Sequence, residues 1–491
     1  MDEKKERASV IQASLFPWTA PHLLKLNYCT LSLVIFASAN GYDSSMVNGL
    51  QSLPPWMSFM AEPAGAWLGF ITIVYWVGLL LAYIISPSIS NRYGRKVGLY
   101  IGMVLVLAGA VLQGLAPSPG AWIVGRALAG AAASFWSCNA PVLISEVAYP
   151  SHRAVVTSFY QSGYYIGSTL AAWIIYGNLG TATSWSWRIP SFLQLILPLC
   201  AFPGLVLCPE SPRWLTSQGR GEEAEAIITR WHAAGDQGSA LVQGQMAEIR
   251  AALDSESKLA ASASYLDMFK TPGNRRRLLI SVSLAWFAQW GGVGVVAFYL
   301  TDVLKSVGIT QANDQLVITA CLQKWNLLCA VIAACFMNRV GKRPLFHASA
   351  IVMLASYILI TGLSGSFAAN DSRSVGIAVV PFLFVYYAGY SVALTPLLTA
   401  YPCEIWQFNL RSKGLSLTWI SSSVFAVFNS LVNPIALEAI GWKYYFVFLV
   451  VLLVYGATEY FLYPETKGYS LEQIRTLFDG DETDRSEGSE V

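Results

Sequence analysis

A charged stretch from Cys208 to Arg277 divides this chain into two apolar parts, and it limits the available folds more than any other feature. It carries Glu222, Glu223, Glu225, Arg230, Glu248, Arg250, Asp254, Glu256 and Lys258, and closes on Arg275, Arg276 and Arg277. Charge buried in hydrocarbon is costly, so the stretch cannot cross a bilayer and reads as a water-exposed connector between two membrane halves. Of 491 residues, 55% are hydrophobic and 12% charged, which excludes a soluble domain and points to an all-α polytopic membrane protein. A net charge of +2 argues against a nucleic-acid partner. Met1–Arg7 is polar with no short apolar run or cleavage site behind it, so the first helix is expected to be retained. Cys138, Cys200, Cys321, Cys329 and Cys335 lie in apolar runs without ligand spacing and read as packing residues.

Apolar runs reaching the roughly 20 residues that span a bilayer fall at 25–46, 66–86, 97–115, 121–144, 155–176 and 189–208. After the connector they recur at 278–302, 315–337, 345–367, 376–401, 413–434 and 442–463. The expected organisation is a tail 1–24, a six-helix half 25–208, a connector 209–277 with short amphipathic helices, a second half 278–463 and a tail 464–491. With both ends cytoplasmic, Lys4, Lys5, Arg7, Arg92, Arg95, Lys96, Arg153, the connector, Arg339, Lys342, Arg343, Arg411 and Lys413 all lie inside. Only Arg188, Lys305, Arg373 and Lys443 then fall in outer loops, as the positive-inside rule requires.

The halves repeat each other. Asn91-Arg-Tyr-Gly-Arg-Lys96 recurs as Asn338-Arg-Val-Gly-Lys-Arg343, Glu146 and Arg153 recur as Glu404 and Arg411, and Pro209-Glu210-Ser211 recurs as Pro464-Glu465-Thr466. The order is the same in both halves. A six-helix unit repeated in one orientation is the parallel-repeat pattern of the major facilitator superfamily.

Five motifs make the resemblance specific: Gly41-Tyr-Asp43, Asn91-Arg-Tyr-Gly-Arg-Lys96, Gly125-Arg126, Pro209-Glu-Ser-Pro-Arg213 and Pro464-Glu-Thr-Lys-Gly468. Over nearly all its length the chain resembles a sugar porter of that superfamily. Tyr401-Pro-Cys-Glu404 and Val432-Asn-Pro434 look most like its fungal lactose-permease-like and hexose-transporter branch. The resemblance implies twelve transmembrane helices, a sugar-like solute bound between the halves, and no catalysis. Carboxylates Glu146, Glu210, Glu404 and Glu465 fall at helix ends near Arg92, Arg95, Arg153, Arg339, Arg343 and Arg411. They read either as a cytoplasmic gate of ion pairs or, for the bases, as simple topological anchors. Sugar porters usually begin the basic motif with Asp; here it is Asn in both halves.

Asp43 lies about 25 Å along the first helix from its inner end, and Arg126 about 9 Å into the fourth from outside, so they share a height. In proton-coupled sugar porters the acid at the Asp43 position takes up the proton and the Arg at the Arg126 position tunes it. The alternative is a permanently ionised structural pair. The resemblance also carries over three substrate amides, Gln161, Gln289 and Asn326; the plainer reading of each is an amide holding helices together. Gly291, Gly292 and Gly294 weaken the seventh helix beside them. Other hexose contacts are replaced, by Ala288, by Val293-Gly294, by Thr399 and by Ser422-Ser423, so glucose is not the default substrate. Lys324 sits two residues before Asn326, about 200° round the helix. It either snorkels or pairs outside the cavity, or acts as a counter-charge for a sugar acid.

His22, His152, His232 and His347 avoid mid-membrane positions, and no phosphate-binding loop falls in a suitable context, so neither a metal nor a cofactor is implied. The expected partners are the solute, protons and the bilayer, with the chain acting as a monomer in the plasma membrane. An exporter of a specialised metabolite and a transporter-like nutrient sensor are the other readings. Asn370-Asp371-Ser372 is a glycosylation sequon placed in an outer loop. A cysteine introduced at Ser372 is expected to react with an impermeant thiol reagent from outside intact cells; labelling only after permeabilisation would invert the topology.

Overall fold

The computed structural model describes residues 21–236, 238–260, 265–336, 340–407, 410–467 and 477–478, with some helical stretches described by backbone alone. Arg339 and the side chain of Gln161 lie outside the described residues. Helices make up the fold because hydrocarbon offers backbone groups no water, and a helix satisfies them within one segment. The first half comprises α1 (Pro21–Leu50), α2 (Gly65–Tyr93), α3 (Arg95–Gly114), α4 (Pro119–Val147), α5 (Pro150–Gly177) and a two-piece path, α6a (Trp185–Leu193) and α6b (Ile196–Leu207). The second comprises α7a (Pro272–Trp290), α7b (Val293–Phe298), α7c (Leu300–Ser306), α8 (Ala312–Phe336), α9 (Lys342–Asn370), α10 (Arg373–Ile405), α11 (Arg411–Ile440) and α12 (Tyr445–Leu462). Short helices at Pro212–Ser217, Gly221–His232, Ala240–Ala260 and Asp267–Lys270 form the connector.

Among the described residues nine stretches are long and apolar enough to cross a membrane, and the last, Lys413–Leu462, holds both α11 and α12. The polar α5 and the broken α7 complete the twelve paths. The helices overrun their apolar cores. At 29 residues α2 is about 43 Å long, against roughly 30 Å of hydrocarbon, so its ends stand in the interface. Entries are fixed locally. Pro119 and Pro272 open α4 and α7a, and the hydroxyls of Ser118 and Thr271 accept from Ala121 and Asn274 N–H at 3.5 and 3.2 Å.

The seventh path breaks at Gly291–Gly292, where Gly292 has φ +102° and a Cβ would strike the Tyr357 ring. A break in hydrocarbon frees carbonyls, and tyrosines from neighbouring helices take them. Tyr357 donates to Gly292 O at 2.9 Å, Tyr386 to Gly291 O at 3.0 Å and Tyr390 to Ala288 O at 3.1 Å. In the connector, His232 bridges Gln245 and the Val147 carbonyl at the end of α4, at 2.9 and 3.0 Å. Burial there pushes its imidazole below the ordinary value.

Within the first half, α1 and α5 touch main chain to main chain. A Cβ on Gly41 would collide with the Tyr164 carbonyl, and one on Gly167 with the Ser38 carbonyl. The halves meet along α2 with α11 and α5 with α8. At the ends poorer in Lys and Arg, taken as outer, they are also hydrogen-bonded. Thr301 donates to Asn48 O at 3.1 Å, Gln51 to Phe298 O at 3.0 Å, and Ser52 to Gln315 Oε1 at 3.2 Å. Because the Gly41 contact is to backbone, Gly41→Val should force α1 from α5 and cost about 2–3 kcal/mol. A fall in thermal stability of the purified protein of several degrees checks this; an unchanged melting point would refute the packing argument.

Candidate transport site

At the basic, inner ends the repeated motifs form the same contacts twice. Glu210 accepts from the N–H groups of Arg95 and Lys96 at 3.1 Å each, capping α3. Glu465 accepts from Lys342 and Arg343 N–H at 2.9 and 3.0 Å, capping α9. Helix N-termini attract negative charge, which accounts for a carboxylate at both places. Arg95 meets Glu146 at 3.4 Å, and its counterpart Lys342 meets Glu404 at 3.5 Å. Lys96 donates to Cys208 O at 2.6 Å at the end of α6b, and Arg343 to Tyr460 O at 2.7 Å near the end of α12. Asn91 accepts from Arg95 at 2.9 Å, so the amide supplies one acceptor where the family's Asp would stand. Each of these contacts closes within one half. Arg92 lies over Tyr93, the Arg153 Nε is buried without a partner, and Arg411 opens α11.

Deeper in, Asp43 is wholly buried on α1, and neither carboxyl oxygen has a hydrogen-bond partner. Arg126 of α4 reaches the same height, but its Nη1 donates to the main-chain carbonyl of Asp43 at 2.8 Å. Its guanidinium lies 4.8 Å from the Tyr75 ring centroid and 5.8 Å from that of Trp122. The two residues are therefore brought together without a side-chain ion pair.

In the second half, Gln289 on α7a donates to Ser422 Oγ on α11 at 2.9 Å. Asn326 on α8 is buried; its Nδ2 makes a long bond of 3.4 Å to Gln323, and its Oδ1 has no partner. Ser391, Thr395 and Thr399 fall on one face of α10 at helical spacing, with hydroxyls buried and unbonded. Of these only Thr399 stands out in the sequence, as a departure from the hexose contacts; the spacing of four is the signal that groups the other two with it. Lys324 is exposed on the side of α8 that also exposes Cys321, Leu328 and Ile332, away from Asn326. Glu459 was also missed. It is buried in α12 and pairs with His347 of α9 at 2.6 Å, a partnership that only the fold creates. Asn370 is the last residue of α9, and its side chain is exposed.

Two bundles of membrane helices with repeated inner ends, hydrogen-bonded to each other at the opposite ends, have the architecture of a major facilitator transporter. The solved structure of the inward-open xylose transporter XylE from E. coli superposes with a TM-score of 0.76, at 22% identity, over 92% of this chain and all of that one. XylE described as a proton:xylose symporter, bound to 6-bromo-6-deoxy-D-glucose, gives 0.73 at 23% identity, covering 92% and 99%. The profile of the sugar (and other) transporter family matches residues 29–478, and the chain belongs to that family. Fungal relatives include a high-affinity glucose transporter of Kluyveromyces lactis, 26% identical over 93% of this chain and 86% of its own length. An Aspergillus oryzae protein, the MFS-type transporter oryC, is 27% identical over 91% and 84%.

The caps are open to a pH test. Burial pushes the Glu465 carboxyl up, but N–H groups of Lys467, Lys342, Arg343 and Thr466 outweigh it and hold the group below its ordinary range. A lowered value in the folded state means stability present above the unfolded value of about 4.3 and lost as pH falls through the folded one. Glu465→Gln should therefore destabilise the fold at pH 7 by about 1 kcal/mol, read as a lower melting temperature. The deficit should shrink below about pH 4. A deficit that persisted there would mean the loss is steric.

Proposed function

We propose that this chain is a secondary active transporter carrying a neutral sugar or sugar-like solute by alternating access, with a proton carried at Asp43. The observation that carries the reading is the buried, unbonded Asp43 carboxyl with Arg126 parked on its main-chain carbonyl. An ionised carboxylate without a partner in a dry site costs several kcal/mol, so this arrangement suits the protonated group. When the proton leaves, the guanidinium can move from the carbonyl to the carboxylate. That gives two arrangements of α1 against α4, one for each protonation state. The proton:xylose symporter among the structural neighbours supports the same coupling.

The solute would lie between the halves, touching Gln161 from one and Gln289 and Asn326 from the other. The orphan Asn326 Oδ1 and the α10 hydroxyls are acceptors and donors of the kind a polyol would satisfy. Glucose transporters among the fungal relatives support a sugar. A sugar acid would want a cation in the cavity, and Lys324 faces away from Asn326. The hydrogen-bonded outer ends support a conformation facing inward, and the charged inner ends, each tied within its own half, would meet across the seam as a gate when the cavity closes there. The plasma membrane, with both termini cytoplasmic, is the setting this implies.

Uptake of a panel of labelled sugars and sugar acids in a transporter-null yeast would identify the solute. For that solute Asp43→Asn should abolish accumulation against a gradient while sparing exchange. Continued pH-dependent accumulation would remove Asp43 from the coupling step. Gln289→Ala and Asn326→Ala should each weaken apparent affinity about 5- to 150-fold, equivalent to about 1–3 kcal/mol, with expression preserved. Unchanged affinity in both would place the site elsewhere.

A further inference from the structure

An open cleft of about 560 Å³ runs down the bilayer-facing side of the second half, between α7a, α11 and α12. Its α7a wall is Leu279, Val282, Ser283 and Trp286, a stripe at i, i+3, i+4 and i+7, faced by Phe461 of α12. Leu279 is 55% and Phe461 77% exposed. The one polar pair at the wall is already spent, since the Ser283 hydroxyl and the Tyr463 phenol bond each other at 3.0 Å. Apart from the Thr458 hydroxyl and the Trp286 indole N–H the shaft is apolar, which suits it to a hydrocarbon chain.

The mouth has different chemistry. Arg275 and Arg276 stand four and three residues before Leu279, so they continue the same helix face to the inner surface. Arg276 donates from Nη2 to the carbonyl of Leu462, itself a lining residue, at 3.3 Å, and Arg275 donates from Nε to Phe269 O at 2.7 Å. Each thus spends one nitrogen, and neither is in an ion pair among the described residues. From Arg276 to Trp286 is ten residues, about 15 Å along the helix and half of a roughly 30 Å hydrocarbon core. The cleft therefore reaches from headgroup level to the bilayer midplane, the depth of one leaflet.

We propose that this cleft is a binding site for one anionic phospholipid of the cytoplasmic leaflet, its acyl chain against Val282 and Trp286 and its phosphate on Arg275 and Arg276. The bound lipid would brace the inner segment of α7, below the break at Gly291–Gly292, against α12.

The test reconstitutes the full chain in phosphatidylcholine vesicles containing phosphatidylserine, extracts it gently, and counts retained lipid by native mass spectrometry. About one phosphatidylserine per chain is expected, preferred over phosphatidylcholine roughly 30-fold, which is about 2 kcal/mol at 1.4 kcal/mol per tenfold. The double variant Arg275→Gln, Arg276→Gln should retain lipid without that preference. Val282→Trp, which fills the shaft, should retain neither lipid while keeping its melting temperature. Should Val282→Trp misfold, Leu279→Trp, at an exposed wall position, serves the same purpose. Equal retention of both lipids by the native chain would reduce the cleft to ordinary lipid contact. Displacement of the phosphatidylserine by added ergosterol would make it a sterol site, and a mass of two chains would make it a dimer seam; either overturns the proposal. The readout involves no solute, so it stands or falls separately from the transport assignment.

Discussion

Each half is held as a unit by a carboxylate seated on a helix N-terminus. Glu210 on α3 and Glu465 on α9 tie the chain leaving the sixth and twelfth paths back to the start of the third and ninth. The interaction is charge-assisted, and for Glu465 four backbone N–H groups together outweigh the desolvation of the carboxylate. A transporter that alternates between two shapes needs bodies that move without deforming. These caps, with the Arg95–Glu146 and Lys342–Glu404 pairs, tie the inner end of each half to itself. The duplicated motifs thus have a mechanical reason for recurring together.

Where the caps hold helix ends fast, α7 is interrupted in mid-course. Its break would be intolerable in bare hydrocarbon, because freed carbonyls have no water to turn to. Three tyrosines from α9 and α10 make it tolerable, and all three donate to one short stretch of backbone. Hydroxyl-to-carbonyl bonds of this kind can exchange partners as the helix bends without exposing charge.

Much of this was legible in the chain. The apolar runs, the basic bias and the duplicated motifs define twelve helices in two copies, because a bilayer leaves few alternatives to a run of apolar residues. The glycines of α7 marked its break. The division of the sixth path at Gln194–Leu195 has its mark in Pro198, which offers no N–H to the Gln194 carbonyl and crowds it, but the continuous apolar run around it reads as one helix. At the site, one-dimensional depth placed Asp43 and Arg126 at one height, and helical phase separated Lys324 from Asn326. What the chain could not display was register between helices. The bond from Gln289 to Ser422, the pairing of Glu459 with His347, and the guanidinium's choice of a backbone oxygen over the carboxylate all depend on how helices far apart in sequence are set against each other.

The outer seam has a character of its own. Asn48, Gln51, Ser52, Thr301 and Gln315 close it with hydroxyls, amides and carbonyls, and no ion takes part in those bonds. Dissolved salt screens charges but leaves neutral dipoles at contact distance almost untouched. The barrier to parting these ends is thus indifferent to the ionic strength of the medium they face. The charged pairs at the opposite ends lack that indifference, so ionic strength weighs on one end of the molecule and hardly on the other.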